Sequence, residues 1–506
     1  MRPFLLFSII LLSFQLLFSQ EKPIGIFSKS EDIGKPTLAG GASYDEQGQI
    51  YTLKGSGYNI WFERDEFHFL QRQLTGDFIL TANFAFVGKG TDPHRKIGWM
   101  IRESAADNAA HVSAVLHGDG LTVMQWRALR GAFMRDPADE IFAPKSNYSI
   151  IQLERKGKEV IMRAAHVGEP LQVIGSQVMA DMPDEVLAGL FICSHNPAVM
   201  EEATIWNVRI DQPVSDGYNA SQQGYLGCRL ETMNVLDGKR KVIFEKNDRF
   251  EAPNWMPDGR QLLFNMDGGL YKIPIEGGEI VQLQTGEVNR NNNDHGISFD
   301  GKLLAISSAA PSGGGSAVYV LPLEGGVPKM VTSHTPSYWH GWAPNNKEVL
   351  YVGRRNDSSL YNIYRNAITG GQEVALTNIK AGEHVDGCEY SPDGQYIYYN
   401  GSQSGTMQLW RMKPDGSAAE QLTFDAYNDW FPHISPDGKW IVFISFPAEI
   451  PVNAHPSYQR VMLRLMPTSG GAPKVIAYLY GGQGTINVPS WSPDSRFIAF
   501  VSNSGK

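Results

Sequence analysis

The chain has 506 residues, of which 42% are hydrophobic and 19% charged, and a formal net charge of −9 at pH 7. The length asks for two or three domains, and the composition is that of a folded globular protein, not a disordered one. The acidic balance excludes the basic surface that nucleic-acid binding requires, and no run of like charges forms a tail or a polybasic membrane patch.

The first element in chain order is "MRPFLLFSIILLSFQLLFSQEK", with Arg2, an apolar run from Phe4 to Phe18, then small and polar residues. This is the pattern of a secretory signal peptide over residues 1–20, so the expected location is secreted, either periplasmic or extracellular. The run is short for a membrane span, and no later segment is apolar enough to cross a bilayer. Three cysteines, Cys193, Cys228 and Cys388, are too few to build a disulfide framework.

Residues 21–212 carry no helical periodicity. Segments such as "GDFILTANFAFVG", "RKIGWMIRES", "HVSAVLHGDGLTVMQWR" and "EVLAGLFICSHN" read as strands separated by Gly, Asn and Asp turns. About ten strands in this length predict a two-sheet β-sandwich. The run from "GDF" through "GWMIRES" to "HVSAVLHGDGLTVMQWR" resembles the concanavalin A-like jelly-roll modules of secreted bacterial proteins, many of which bind carbohydrate or lie beside enzymes acting on it. Trp61, Trp126 and Arg127, with Tyr58 and Arg102, are the aromatic and planar polar materials for a sugar site. The same tryptophans would equally serve as sandwich core.

From residue 213 the chain repeats. "WMPDGRQLLF", "ISFDGKLLAIS", "WAPNNKEVLYVG", "YSPDGQYIYYN", "ISPDGKWIVFIS" and "WSPDSRFIAFVS" place Asp258, Asp300, Asn345, Asp393, Asp437 and Asp494 in one column, 42 to 57 residues apart. That is the period of a four-stranded propeller blade. In the turn, Pro presets φ, Asp or Asn bonds nearby backbone, and Gly or Asn tolerates positive φ. Strand–turn–strand segments such as "LYKIPIEGGEIVQL" and "LWRMKPDGSAAEQL" lie between the copies. One more, "CRLETMNVLDGKRKVIF" (228–244), precedes them all, so the last copy should pair with it and close a six-bladed ring. The repeat resembles the TolB-type six-bladed propellers over about residues 213–506. The resemblance implies an all-β ring following the sandwich; the region before the ring differs from the α/β domain of TolB itself.

Propellers bind ligands where blade loops converge on the channel. If the Pro-Asp-Gly turns occupy one face, the polar loops at 289–296, 333–341, 381–389 and 425–434 share the other. Five positions before each turn Asp stand Pro253, Pro432 and Pro489, but His295, His340 and Cys388 in the middle copies. With His384, Asp386 and His433 nearby, Arg354 and Arg355 in the third repeat, and His455 in an insertion of the fifth, the face is rich in proton-transferring groups. His295, His340, His384 and His433 are candidate ligands of a divalent metal. They, with Asp386 and Arg354, are the candidate catalytic groups; Trp339, Trp430, Arg355 and His455 are candidate ligand contacts. Loop-fixing histidines without a ligand fit the same pattern. The resulting expectation is a secreted protein binding carbohydrate or an envelope protein. Its alternative is a metal-assisted polysaccharide lyase or hydrolase, by architectural analogy with oligogalacturonate lyases.

Overall fold

The computed structural model describes residues 22–356 and 358–504, and the leader expected over 1–20 lies outside them. Apart from one helical turn, Ala220–Gln223, the regular elements are all strands. Among the described residues no helix is long and apolar enough to cross a membrane.

The first part of the chain forms two seven-stranded antiparallel sheets. One runs Lys29–Ile33, Phe67–Thr75, Glu185–Cys193, Lys96–Arg102, His111–His117, Thr122–Arg127, Glu140–Phe142. The other runs Gln172–Val178, Glu159–Ala165, Ile150–Lys156, Phe78–Phe86, Glu201–Asp211, Ile50–Gly55, Gly41–Asp45. Alternating residues of both sheets meet in one core, with Trp99, Ile101 and Val112 from the first against Leu80, Leu153 and Ile205 from the second. Sixteen strands appear where the sequence suggested ten, because short edge strands such as Glu140–Phe142 carry no apolar run.

Five four-stranded sheets follow as blades 1 to 5. Their innermost strands are Phe250–Trp255, Asn291–Ile297, Ser337–Trp342, Val385–Tyr390 and Asn428–Ile434. The turn chemistry is as its residues dictate. In blade 4, Asp393 accepts the Ser391 hydroxyl at 2.6 Å and the Gln395 amide at 3.0 Å, while Gly394 sits at φ +70°. The tryptophan before the turn pins neighbouring blades: Trp342 Nε1 donates to the Gly296 carbonyl and Trp491 Nε1 to the His433 carbonyl, each at 2.9 Å.

Blade 6 is assembled from both ends of the repeat region. Phe497–Asn503 pairs with Cys228–Asn234, which pairs with Arg240–Lys246. The last copy contributes one full strand to this blade, and its innermost strand is reduced to a Trp491–Ile498 bridge. The reason is local: in 482–489, Gly482 and Gly484 donate to the side chains of Thr485 and Asn487 instead of to a ladder.

The closure seam encloses a charge. Glu231, fully buried on the strand Cys228–Asn234, accepts from Arg240 at 2.7 Å and from the Ser502 hydroxyl of the closing strand at 2.6 Å. Its other oxygen accepts from Arg209 of the two-sheet region at 2.6 Å. Burial works against its ionisation, but the two guanidiniums hold Glu231 well below the usual carboxylate range. Around it, Arg229 bonds Asp211 at 2.5 Å, and Gln49 exchanges two 2.9 Å bonds with the Val242 backbone. Glu231→Gln should therefore leave two buried guanidiniums uncompensated and lower the unfolding free energy by about 3–5 kcal/mol in urea denaturation. An unchanged midpoint and slope would show that the seam does not depend on this charge.

Candidate functional site

Each innermost strand of blades 1 to 5 breaks register once. The breaks fall between Glu251 and Asn254, Asn291 and His295, Trp339 and Gly341, Asp386 and Glu389, and Trp430 and His433. A bulge leaves residues unpaired and re-aims their side chains. Here it turns Asp294, His340 and Phe431 toward the channel, and Asp386 stands at the shoulder of the fourth. The backbone is held left-handed at Ala252 (φ +56°) and Phe431 (φ +55°), a conformation that non-glycine residues adopt only when their surroundings impose it.

These residues surround a cavity of about 340 Å³ at one end of the inner strands. Its wall includes Asn292, Asn293 and Asp294 of blade 2, Tyr338 and His340 of blade 3, and His384 and Asp386 of blade 4. Phe431 and His455 of blade 5, Gln483 and Asn487 of the closing segment, and Arg249, Val352 and Tyr361 complete it. A second cavity, of about 410 Å³, is lined from the other end of the same strands by Trp255, Trp342, Tyr390, Trp491 and the turn prolines. The two loop faces are thus separate, as the turn positions implied.

The first cavity holds a charge relay. His340 Nε2 lies 2.7 Å from Asp386 Oδ1, and His384 Nε2 lies 3.7 Å from Asp386 Oδ2. Burial opposes a charged His340, but Asp386, by charge and hydrogen bond, and Asp294 by charge hold the imidazole above its ordinary value. Burial also opposes ionisation of Asp386, yet His340 and His384 keep its carboxyl well below the usual range. Asp294 behaves oppositely: burial pushes it up to about 7, against the His340 charge and with the Asp386 charge adding to the rise. Two carboxyl groups of one cavity therefore differ in protonation near neutral pH. Asn292 Nδ2 donates to Asp294 Oδ2 at 2.8 Å, and Arg249 is neutralised by Glu251 at 2.8 Å.

Three buried polar atoms of the cavity wall have no partner among the described residues: Asn293 Nδ2, His340 Nδ1 and His455 Nδ1. Tyr338 is pushed up to about 12 by burial and stays a neutral donor, while burial lowers His455, leaving it a neutral imidazole.

The other expected residues are placed elsewhere. His295 turns into the protein, where burial pulls it down to about 4, and Cys388 is a buried thiol. His433 is buried and saturated, with Nδ1 2.8 Å from Glu389 and Nε2 2.7 Å from the Ile486 carbonyl. The four-histidine metal set consequently does not assemble. Among the described residues no group of three or more His, Cys, Asp or Glu is arranged to hold a metal ion. Trp339 packs toward the other cavity against Gly296, and Trp430 supports the wall from behind, 4.5 Å from His455 between ring centres. Arg355 is tied to Glu373 at 2.5 Å; Arg354 lies exposed over Tyr361 at the rim, 5.3 Å from its ring centre.

In the two-sheet region, Trp126 is core, and Arg127 is fully buried in a bidentate pair with Asp65 at 2.7 and 2.8 Å. Neither presents a face to a ligand. Trp61 is half-buried in a short hairpin pairing with Arg64. Asn293, Asp294, Tyr338, Tyr361, Gln483 and Asn487 also line the cavity although the count back from each turn does not single them out; the signal for Asp294 is its place beside His295 in a polar inner strand.

No family model matches the chain. An uncharacterised protein of Agrobacterium fabrum is 44% identical over 279 residues, which is 93% of its length and 55% of this chain. A solved structure, provisionally assigned as TolB from Agrobacterium tumefaciens, is 43% identical with a TM-score of 0.52, covering 98% of that chain and 55% of this one. The chain belongs to the TolB-like propeller family. TolB from Acinetobacter baumannii is a more distant neighbour, 15% identical with a TM-score of 0.39, covering 79% of that chain and 65% of this one. The match to the Agrobacterium proteins is longer than the two-sheet region can supply, so the TolB-like part includes the ring.

If Asp386 is what holds His340 charged, Asp386→Asn should lower the His340 pKa, because burial is then opposed only by the charge of Asp294. Titration of ¹⁵N-histidine resonances reads this directly, and an unmoved His340 would dissolve the relay.

Proposed function

We propose that this exported TolB-like protein binds carbohydrate in the 340 Å³ cavity at the histidine-rich mouth of its propeller. The observation that carries the reading is the set of three buried polar atoms on one cavity wall that have no partner among the described residues. Buried donors and acceptors are costly when unpaired, about 1–3 kcal/mol each, and a ligand that pairs them recovers that cost. The wall mixes amides (Asn292, Asn293, Gln483, Asn487), imidazoles and phenols with the Phe431 ring, which suits a molecule offering hydroxyl donors, hydroxyl acceptors and an apolar ring face. The volume is that of a small-molecule site and admits a sugar or two, not a folded envelope protein. The leader pattern over residues 1–20 supports export.

The enzymatic alternative is favoured by one observation, the unlike protonation of Asp294 and Asp386. Its metal-assisted form lacks a donor set among the described residues.

Glycan-array screening of the full chain, followed by calorimetry on the best binder, tests the reading. Asn293→Ala and His455→Ala should each weaken binding about tenfold, equivalent to ~1.4 kcal/mol, in variants that still unfold in a single cooperative transition. Binding that neither substitution alters would move the sugar out of this cavity.

A further inference from the structure

We propose that the cavity hydrolyses a glycoside, with Asp294 as general acid and Asp386 as the carboxylate that stabilises the cation forming at the anomeric carbon. The proposal rests on the reading of this cavity as a sugar site.

Asp294 and Asp386 come from blades 2 and 4, line the same cavity, and are both at least nine-tenths buried. His340 of blade 3 stands between those blades and bonds Asp386 through Nε2. Asp386 Oδ1 is taken by His340 and by the Gly387 amide at 2.9 Å. Among the described residues its Oδ2 meets only His384, at 3.7 Å, and it is the oxygen left to face a substrate. Glycoside cleavage needs one protonated and one ionised carboxyl group, which is what burial and the His340 charge impose here. Among the described residues, those lining the cavity are amides, imidazoles, carboxyls, phenols, one guanidinium, Val352 and Phe431.

The step balances with water alone. The bond between the anomeric carbon and the glycosidic oxygen breaks, its electron pair goes to that oxygen, and Asp294 supplies the proton. Asp386 stabilises the positive charge left on the sugar. Water then bonds to the anomeric carbon and returns a proton to Asp294.

The test uses the full chain with cellobiose, xylobiose, lactose and chitobiose, and with dinitrophenyl glycosides whose leaving group needs no proton. Reducing ends and dinitrophenolate report turnover; calorimetry reports binding. Asp294→Asn should lose about 10²- to 10⁴-fold on the disaccharides and little on the dinitrophenyl glycosides, whereas Asp386→Asn should lose on both. Turnover should fall as pH rises through about 7, where Asp294 gives up its proton. Asn292→Ala removes a hydrogen bond that favours the ionised form of Asp294, and should move that limb to higher pH even if Asp294→Asn fails to fold. Equal losses of Asp294→Asn on both leaving groups, an unmoved alkaline limb in Asn292→Ala, or an unsaturated elimination product would overturn the assignment. Sugars that bind without release of reducing ends would overturn hydrolysis and leave the binding reading standing. A panel neither bound nor cleaved would remove both.

Discussion

The ring of this chain is closed by pairing its last strand with one laid down before the first blade, and that pairing is built around a buried carboxylate. Seven residues of Phe497–Asn503 lie against Cys228–Asn234. Glu231, in the middle of that seam, is shared by Arg240 of its own blade, Ser502 of the closing strand and Arg209 of the two-sheet region. Such a cluster adds little net stability over a well-packed apolar seam, but it is specific: only correct closure places two guanidiniums and a hydroxyl on one carboxylate. The two-sheet region thus takes part in closing the ring. Further contacts, such as the Gly168–Val475 bridge to the outer strand of blade 5, extend the attachment beyond the seam.

Closure positions the site. The closing segment that contributes Gln483 and Asn487 to the cavity lies between blade 5 and the last strand, so an open ring would lack part of that wall. The insertion of blade 5 reaches across the same mouth, where Asn453 donates to the Gly382 carbonyl and His455 packs on Trp430 and Phe431. The bulges then decide which side chains enter. Burial makes their ionisation mutually dependent, so that Asp386 stays charged through His340 while Asp294 holds its proton until the pH rises through about 7.

The repeat, the blade count and the pairing of 228–244 with the end of the chain were legible because Pro-Asp-Gly turns have a local chemistry that survives in sequence. The separation of the two loop faces was legible for the same reason. The individual residues were not, because counting back from the turn assumes an unbroken strand. Each bulge shifts that count: His340 stands in the cavity, but its column partners His295 and Cys388 do not, and Asp294 and Asp386 take their places. Burial was equally hidden. Alternation along Thr122–Arg127 shows that Trp126 and Arg127 face opposite sides, but not that a hairpin far upstream brings Asp65 over Arg127.

A crystal structure of the full chain soaked with the disaccharide that binds best is the most direct test of the account. It should show a sugar ring in the first cavity, within hydrogen-bond reach of Asn293, Asp294 and His340, with Asp386 still bonded to His340. A ring ordered instead at the tryptophan-lined opposite mouth, or against the two-sheet region with this cavity unchanged, would contradict it.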